Sequence, residues 1–291
     1  MIDILKAKTA FKDYISNYDI NEPKIHIKII HMYHVAENAR KIAKSLNLPD
    51  EEQNLAELIG LLHDIGRFEQ VRLYHTYSDK ISIDHGQKGV EVLFGDKLIR
   101  NFIQDDTKDT ILYKAIHNHN KFEIEKGLSE EEMLYCQIVR DADNIDIFRA
   151  VLEGKKVEEF GHLGCEDISK EILSPKFFED FKKEKPLVYT EAKTDMDIMV
   201  AIIAHIYTLN FQESFKIIKQ NNYILKFVEK LNCQDPYTKE PIPEIFGEIA
   251  KNTTKGIGQV FTLAKEKMNE IARIAMHYIN QRVERKEEEN E

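Results

Sequence analysis

AELIGLLHDIGRFEQ, residues 56–70, is the stretch that decides how this chain is read. An apolar run closes on His63-Asp64, an imidazole and a carboxylate at the end of a hydrophobic helix. Burying a carboxylate there is costly unless a cation or several donors compensate its lost hydration. Further groups of the same kind flank the pair: His31 upstream, then His85, His119 and Asp143 downstream. Together they make the mixed nitrogen and oxygen ligand set of a metal cluster in a helical core.

Working outward, the periodicity is helical nearly everywhere. In residues 26–48, His31, Val35, Ala39, Ile42 and Leu46 share one face, and Pro49-Asp50 breaks the run before the next helix starts with acids in its first turn. Gly66 is expected to stop that helix, and residues 67–84 to form a long loop lining the site. Asp84 is expected to cap a helix with His85 in its first turn. Leu112, Ala115, Ile116 and His119 form a stripe. Ser129 and Glu132 have capping-box form and open a helix on which Cys136, Val139 and Asp143 share a face. Residues 186–192 (PLVYTEA) are the one segment suited to a short strand. Residues 195–211 and 213–231 read as apolar helices. Pro236, Pro241 and Pro243 mark a break before a last helix over about 257–285. Its Phe261, Ala264, Met268, Ala272, Ala275 and Ile279 fall at near-heptad spacing, suited to docking on its own domain or to a homodimer. The expectation is an all-α protein: a domain over 1–235, with its motif core at 25–150 and its helical completion at 151–235, then a C-terminal extension and charged tail over 236–291.

The chain has 291 residues, 42% of them hydrophobic, and a net charge of −10. That charge opposes an extended nucleic-acid surface but permits one local basic pocket for a small anion. No apolar run approaches membrane-spanning length, and the N-terminus lacks the apolar centre of a signal peptide. The scattered Cys136, Cys165 and Cys233 form no CxxC pair, consistent with reduced thiols and a cytoplasmic location. His26, His34, His75, His162, His205 and His277 have no pattern beyond that of ordinary hydrogen-bonded or surface residues.

The blocks HMYHVAENARKIA, AELIGLLHDIGRFEQ, DHGQKGVEVL, AIHNHNKFEI and IVRDADNIDIF, spread over about residues 25–150, resemble the HD-domain superfamily of metal-dependent phosphohydrolases. The signature is a histidine, then His-Asp, then a distant aspartate, met here by His31, His63-Asp64 and Asp143. The resemblance implies a helical bundle core with additional C-terminal helices. It also implies that His85 and His119 bind a second ion, Asp64 bridging both. His119 is preferred to His117, which sits on another helix face and is placed to meet substrate. Asp141 and Asp146 would support the ligands or cap the helix.

The activity implied is hydrolysis of a phosphate ester of a nucleotide or another small phosphorylated metabolite. Two divalent ions among Mn, Fe, Co, Ni or Zn would be the cofactors, and Asp64, Arg67 and Lys121 the catalytic groups. Arg72 is a weaker phosphate candidate; Phe68, Tyr74 and Tyr77 are suited to stacking on a nucleobase. Two other classes use the same fold: a diiron oxygenase, and a nucleotide-sensing module without turnover. No role beyond packing is assigned to YTLNFQESF (residues 207–215).

Overall fold

The structure, a computed structural model, describes residues 2–95, 97–153, 173–232 and 248–284, the last helix with its side chains from Glu266 onward. Cys165, Cys233, His162, the three prolines near 240, the charged tail and the Phe261 and Ala264 side chains lie outside the described residues. The described chain is helical throughout, with no strand. No helix among the described residues is long and apolar enough to cross a membrane. Residues 2–150 together with 209–214 form one compact unit, and the remaining described residues a second.

The first unit is built from α1 (Ile4–Ile15), α2 (Pro23–Ser45), α3 (Asp50–Leu62), α4 (Gly66–Tyr74), α5 (His85–Val90), α6 (Ile99–Phe102), α7 (Asp109–Asn118) and α8 (Glu130–Glu153, whose last turn joins the second unit). Helix α2 starts on Pro23, whose fixed φ suits a first turn. It buries His31, Val35, Ala39 and Ile42, the expected face, while Leu46 is half-buried. Helix α3 is enclosed on every side from Leu55 to Leu62, which is why its sequence is an apolar run rather than a stripe. Gly60 permits the close approach: a Cβ there would meet Ala36 Cα at 2.8 Å and Val35 O at 2.9 Å. Helix α8 opens with the capping box, Ser129 N donating to Glu132 Oε2 and Glu132 N to Ser129 Oγ. Asp84 caps α5 by accepting from Gln87 N, with His85 as the first helical residue.

Three expectations are corrected. Gly66 does not stop a helix; α3 ends at Leu62 and Gly66 is the first residue of α4. A Cβ at Gly66 would lie 2.2 Å from His85 O and 2.5 Å from Gly89 N, so glycine serves backbone approach to α5 rather than a helix exit. Residues 67–84 are not one loop: α4 occupies the first half, ends in a left-handed His75, and a 3-10 turn follows at Asp79–Ile81. Residues 186–192 make no strand but a 3-10 turn at Tyr189–Glu191.

The second unit holds α9 (Pro175–Phe181), α10 (Asp195–Ile203), most of α11 (Gln212–Gln220), α12 (Tyr223–Asn232) and α13 (Glu248–Glu284). The 213–231 segment is split where Asn222 takes a left-handed φ of 53°. Met268, Ala272, Ala275 and Ile279 of α13 are buried within this unit.

Candidate metal centre

Five helical segments of the first unit bring the six sequence-derived ligands together. His31 comes from the middle of α2 and His63 and Asp64 from the turn after α3. His85 opens α5, His119 follows α7, and Asp143 lies midway along α8. Each imidazole is fixed by its Nδ1. His63 Nδ1 donates to Gly60 O at 2.8 Å and His119 Nδ1 to Ile116 O at 2.6 Å, each reaching back three residues on its own helix. His31 Nδ1 meets Asp146 Oδ2 at 2.7 Å, and His85 Nδ1 meets Asp79 Oδ2 at 2.6 Å. A carbonyl or carboxylate can only accept, so all four Nδ1 atoms carry the proton and the four Nε2 atoms face inward.

The inward atoms fall into two overlapping groups. His31, His63 and Asp64 offer one set of ligand atoms, and Asp64, His85 and His119 another, all within 4.8 Å of one another in each set. Asp64 Oδ2 lies 3.7 Å from His31 Nε2 and 3.5 Å from His63 Nε2; its Oδ1 lies 3.4 Å from both His85 Nε2 and His119 Nε2. Asp143 Oδ1 joins the first group, 3.1 Å from His31 Nε2 and 3.8 Å from His63 Nε2.

This convergence needs a cation. Burial pulls His63 down to about 4 against Asp64 and Asp143, and burial with the nearby Arg67 pulls His85 down to about 3, so both rings are neutral near pH 7. His85 Nε2 and His119 Nε2 are 3.0 Å apart, and the neutral His85 ring, with its proton on Nδ1, turns a bare Nε2 toward both His119 and Asp64 Oδ1. His31 Nε2, His63 Nε2 and Asp64 Oδ1 are buried without a hydrogen-bond partner. Orphaned buried acceptors cost on the order of 1–3 kcal/mol each. Divalent metal is what this donor chemistry fits, and the absence of thiolates among the six ligands matches metals that take nitrogen and oxygen.

Charge around Asp64 is supplied by two cations, one of them absent from the sequence reading. Lys28 Nζ meets Asp64 Oδ2 at 2.5 Å, one helical turn before His31. Arg67 Nε lies 3.5 Å from Asp64 Oδ1, buried and without an acceptor, while its Nη1 is held by Gln70, Tyr77 O and Asp79. Burial opposes the ionised form of Asp64, but Lys28, His63, His119 and Arg67 hold its carboxyl well below the usual range. Both cations lie 5.4 Å from the Tyr77 ring centre. Lys28 was legible only as a lysine three residues before His31, a signal without weight until the bridge to Asp64 is seen.

The remaining assignments separate cleanly. Lys121 pairs with Asp84, the cap of α5, rather than with the six ligands. His117 stacks on Tyr113, away from both groups. Arg72 pairs with Glu69 on the surface. Phe68 is fully buried against Phe11, Tyr14 and Tyr18, which removes it from any base-stacking role. Tyr74 is exposed. Asp146 braces His31 and is gripped at both oxygens by Arg149, at 2.6 and 2.8 Å. Arg140 donates to the carbonyls of Asn118, His119, Lys121 and Phe122, closing the end of α7 that presents His119. Asp141 accepts from Asn210 N and Nδ2, Phe211 N and Ser214 Oγ, so NFQES within the 207–215 segment is its cage and anchors α8 two residues before Asp143. Burial pushes Asp141 up to about 6 against the pull of these donors.

A helical bundle with a histidine–aspartate cluster able to hold divalent metal defines a class of metal-binding helical domains. Residues 29–147 match the family model described as HD domain. The HD domain is that of the metal-dependent phosphohydrolase superfamily, whose members bind divalent metals. No curated protein and no solved structure matches the chain.

Proposed function

We propose that this chain is a metal-dependent phosphohydrolase cleaving a phosphate ester of a small metabolite, a nucleotide in the first instance. In this reading His31, His63, Asp64 and Asp143 hold one divalent ion, and Asp64, His85 and His119 the other. The observation that carries it is the shared carboxylate: the two oxygens of Asp64 face two separate sets of inward imidazole Nε2 atoms.

Divalent ions bound by these residues would lower the pKa of a bound water and would offset charge that develops at phosphorus. The chain's own residues do the rest. Lys28 and Arg67 put two donors beside Asp64, where a phosphoryl oxygen would be drawn. Arg67 is pre-set for that task, because Gln70, Tyr77 O and Asp79 fix one edge of its guanidinium and leave Nε unpaired. Lys28 would exchange Asp64 for the anion as the carboxylate takes up metal. Lys121 acts at one remove, steadying the cap of the helix that carries His85. The net charge of −10 favours small anions over a polyanionic strand.

The test is a hydrolysis screen of nucleoside mono-, di- and triphosphates and a generic aryl phosphate against Mn, Fe, Co, Ni and Zn, run with and without oxygen. Oxygen-independent phosphate release is expected. Substrate-dependent oxygen uptake with iron and no phosphate release would move the chain to the oxygenase class. Tight nucleotide binding without turnover would make it a sensor.

A further inference from the structure

We propose that Asp79 is the positioning residue for the second metal group, acting through His85 and Arg67 together; the proposal rests on the two-metal reading above. The four inward imidazoles are not braced alike. His63 and His119 lean on backbone carbonyls, and His31 on Asp146 of a 24-residue helix. His85 alone opens a six-residue helix and is held by a side chain from the short 3-10 turn before it.

That side chain is a junction. Asp79 Oδ2 accepts from His85 Nδ1 at 2.6 Å and from Asn120 Nδ2 at 3.3 Å; Oδ1 accepts from Gln70 Nε2 at 2.8 Å and from Arg67 Nη1 at 3.0 Å. Gln70, itself fully buried, also donates to Ser82 Oγ and Ile83 O, pinning the segment from both ends. One carboxylate therefore sets the tautomer and direction of a ligand and fixes the guanidinium aimed at Asp64. Only an acceptor-only group can receive four donors. An asparagine would turn its amide N–H groups toward His85 and Asn120 or toward Arg67 and Gln70, so one donor pair is opposed in either orientation. Asp79 touches neither Asp64 nor the first metal group, and Arg67 approaches Asp64 at Oδ1, the oxygen that faces His85 and His119, so the effect falls first on the second group.

The test is a Mn(II) titration of the full chain by calorimetry and electron paramagnetic resonance, comparing wild type with Asp79→Asn. Wild type is expected to bind two ions. The variant should bind the first as wild type does and the second about 10–100-fold more weakly, the usual cost of removing a group that orients a ligand. Unchanged affinity for both ions, or equal loss of both, overturns the proposal while leaving the two-metal reading standing. A wild type binding fewer than two ions overturns both. Nitrogen-15 NMR of wild-type His85 gives a readout free of metal and of any variant's folding: the ring is expected as the Nδ1–H tautomer, and the Nε2–H tautomer would refute the role assigned to Asp79.

Discussion

Replacing Gly66 with alanine sets two physical effects against each other. Gly66 is a helical residue without positive φ, and helix propensity alone favours alanine there by up to about 1 kcal/mol. Sterics oppose it. The added Cβ would sit 2.2 Å from His85 O and 2.5 Å from Gly89 N, both backbone atoms of α5, which no side-chain rotation can relieve. Restoring the first contact to 3.4 Å, where packing becomes ordinary, moves α5 by about 1.2 Å. Overpacking of this kind costs about 1–3 kcal/mol. For a unit of this size that lowers the thermal midpoint by roughly 2–12 °C. The displaced helix carries His85 in its first turn, and metal ligands tolerate only about 0.2 Å of misplacement. Gly66→Ala should therefore melt earlier and lose the second ion before the first, read by calorimetry and by metal titration. A variant as stable as wild type, or more so, with both ions retained would refute the reasoning and return Gly66 to an ordinary helix position.

Asp64→Ala should abolish binding of both ions, since one carboxylate faces both groups; elemental analysis that still finds one ion at full occupancy would remove the bridge. Lys28→Met should raise KM for a phosphate ester by about tenfold or more, the loss of one charge-assisted contact. Metal affinity in that variant should stay level or improve, because a competing cation leaves Asp64; weaker metal binding would show that Lys28 supports the site in another way. Asp141→Ala should destabilise the first unit by about 3 kcal/mol, since the Asn210 and Phe211 amides and the buried Ser214 hydroxyl lose their shared buried acceptor. A change under 1 kcal/mol in urea unfolding would mean the cage reorganises around water.

Much of the site was legible because ligands and helix faces share one period. His31 recurs with Val35, Ala39 and Ile42 on the buried face of α2, and His119 with Leu112, Ala115 and Ile116, so the stripes that place the core also place the imidazoles. Caps were equally local: Ser129 with Glu132, and Asp84 with Gln87, lie three residues apart. What escaped depends on contacts distant in sequence. Asp141 and Ser214 are 73 residues apart, and Lys28 and Asp64 are 36 apart, with no pattern linking either pair. The 67–84 stretch was misjudged because α4 has apolar residues on no single face; it is held by Gln70, Asp79 and the glycine-permitted approach to α5 rather than by periodicity. Gly66 shows the same limit: the residue was conspicuous, but only the position of His85 O tells why it is there.

The central claim is that six residues, Asp64 shared between the two groups, hold a pair of metal ions. Equilibrium dialysis of the chelator-stripped chain against Mn(II), followed by elemental analysis, tests it most directly. The account predicts two ions per chain for wild type, one for His85→Ala and none for Asp64→Ala. One ion in wild type, unchanged in His85→Ala, would contradict it.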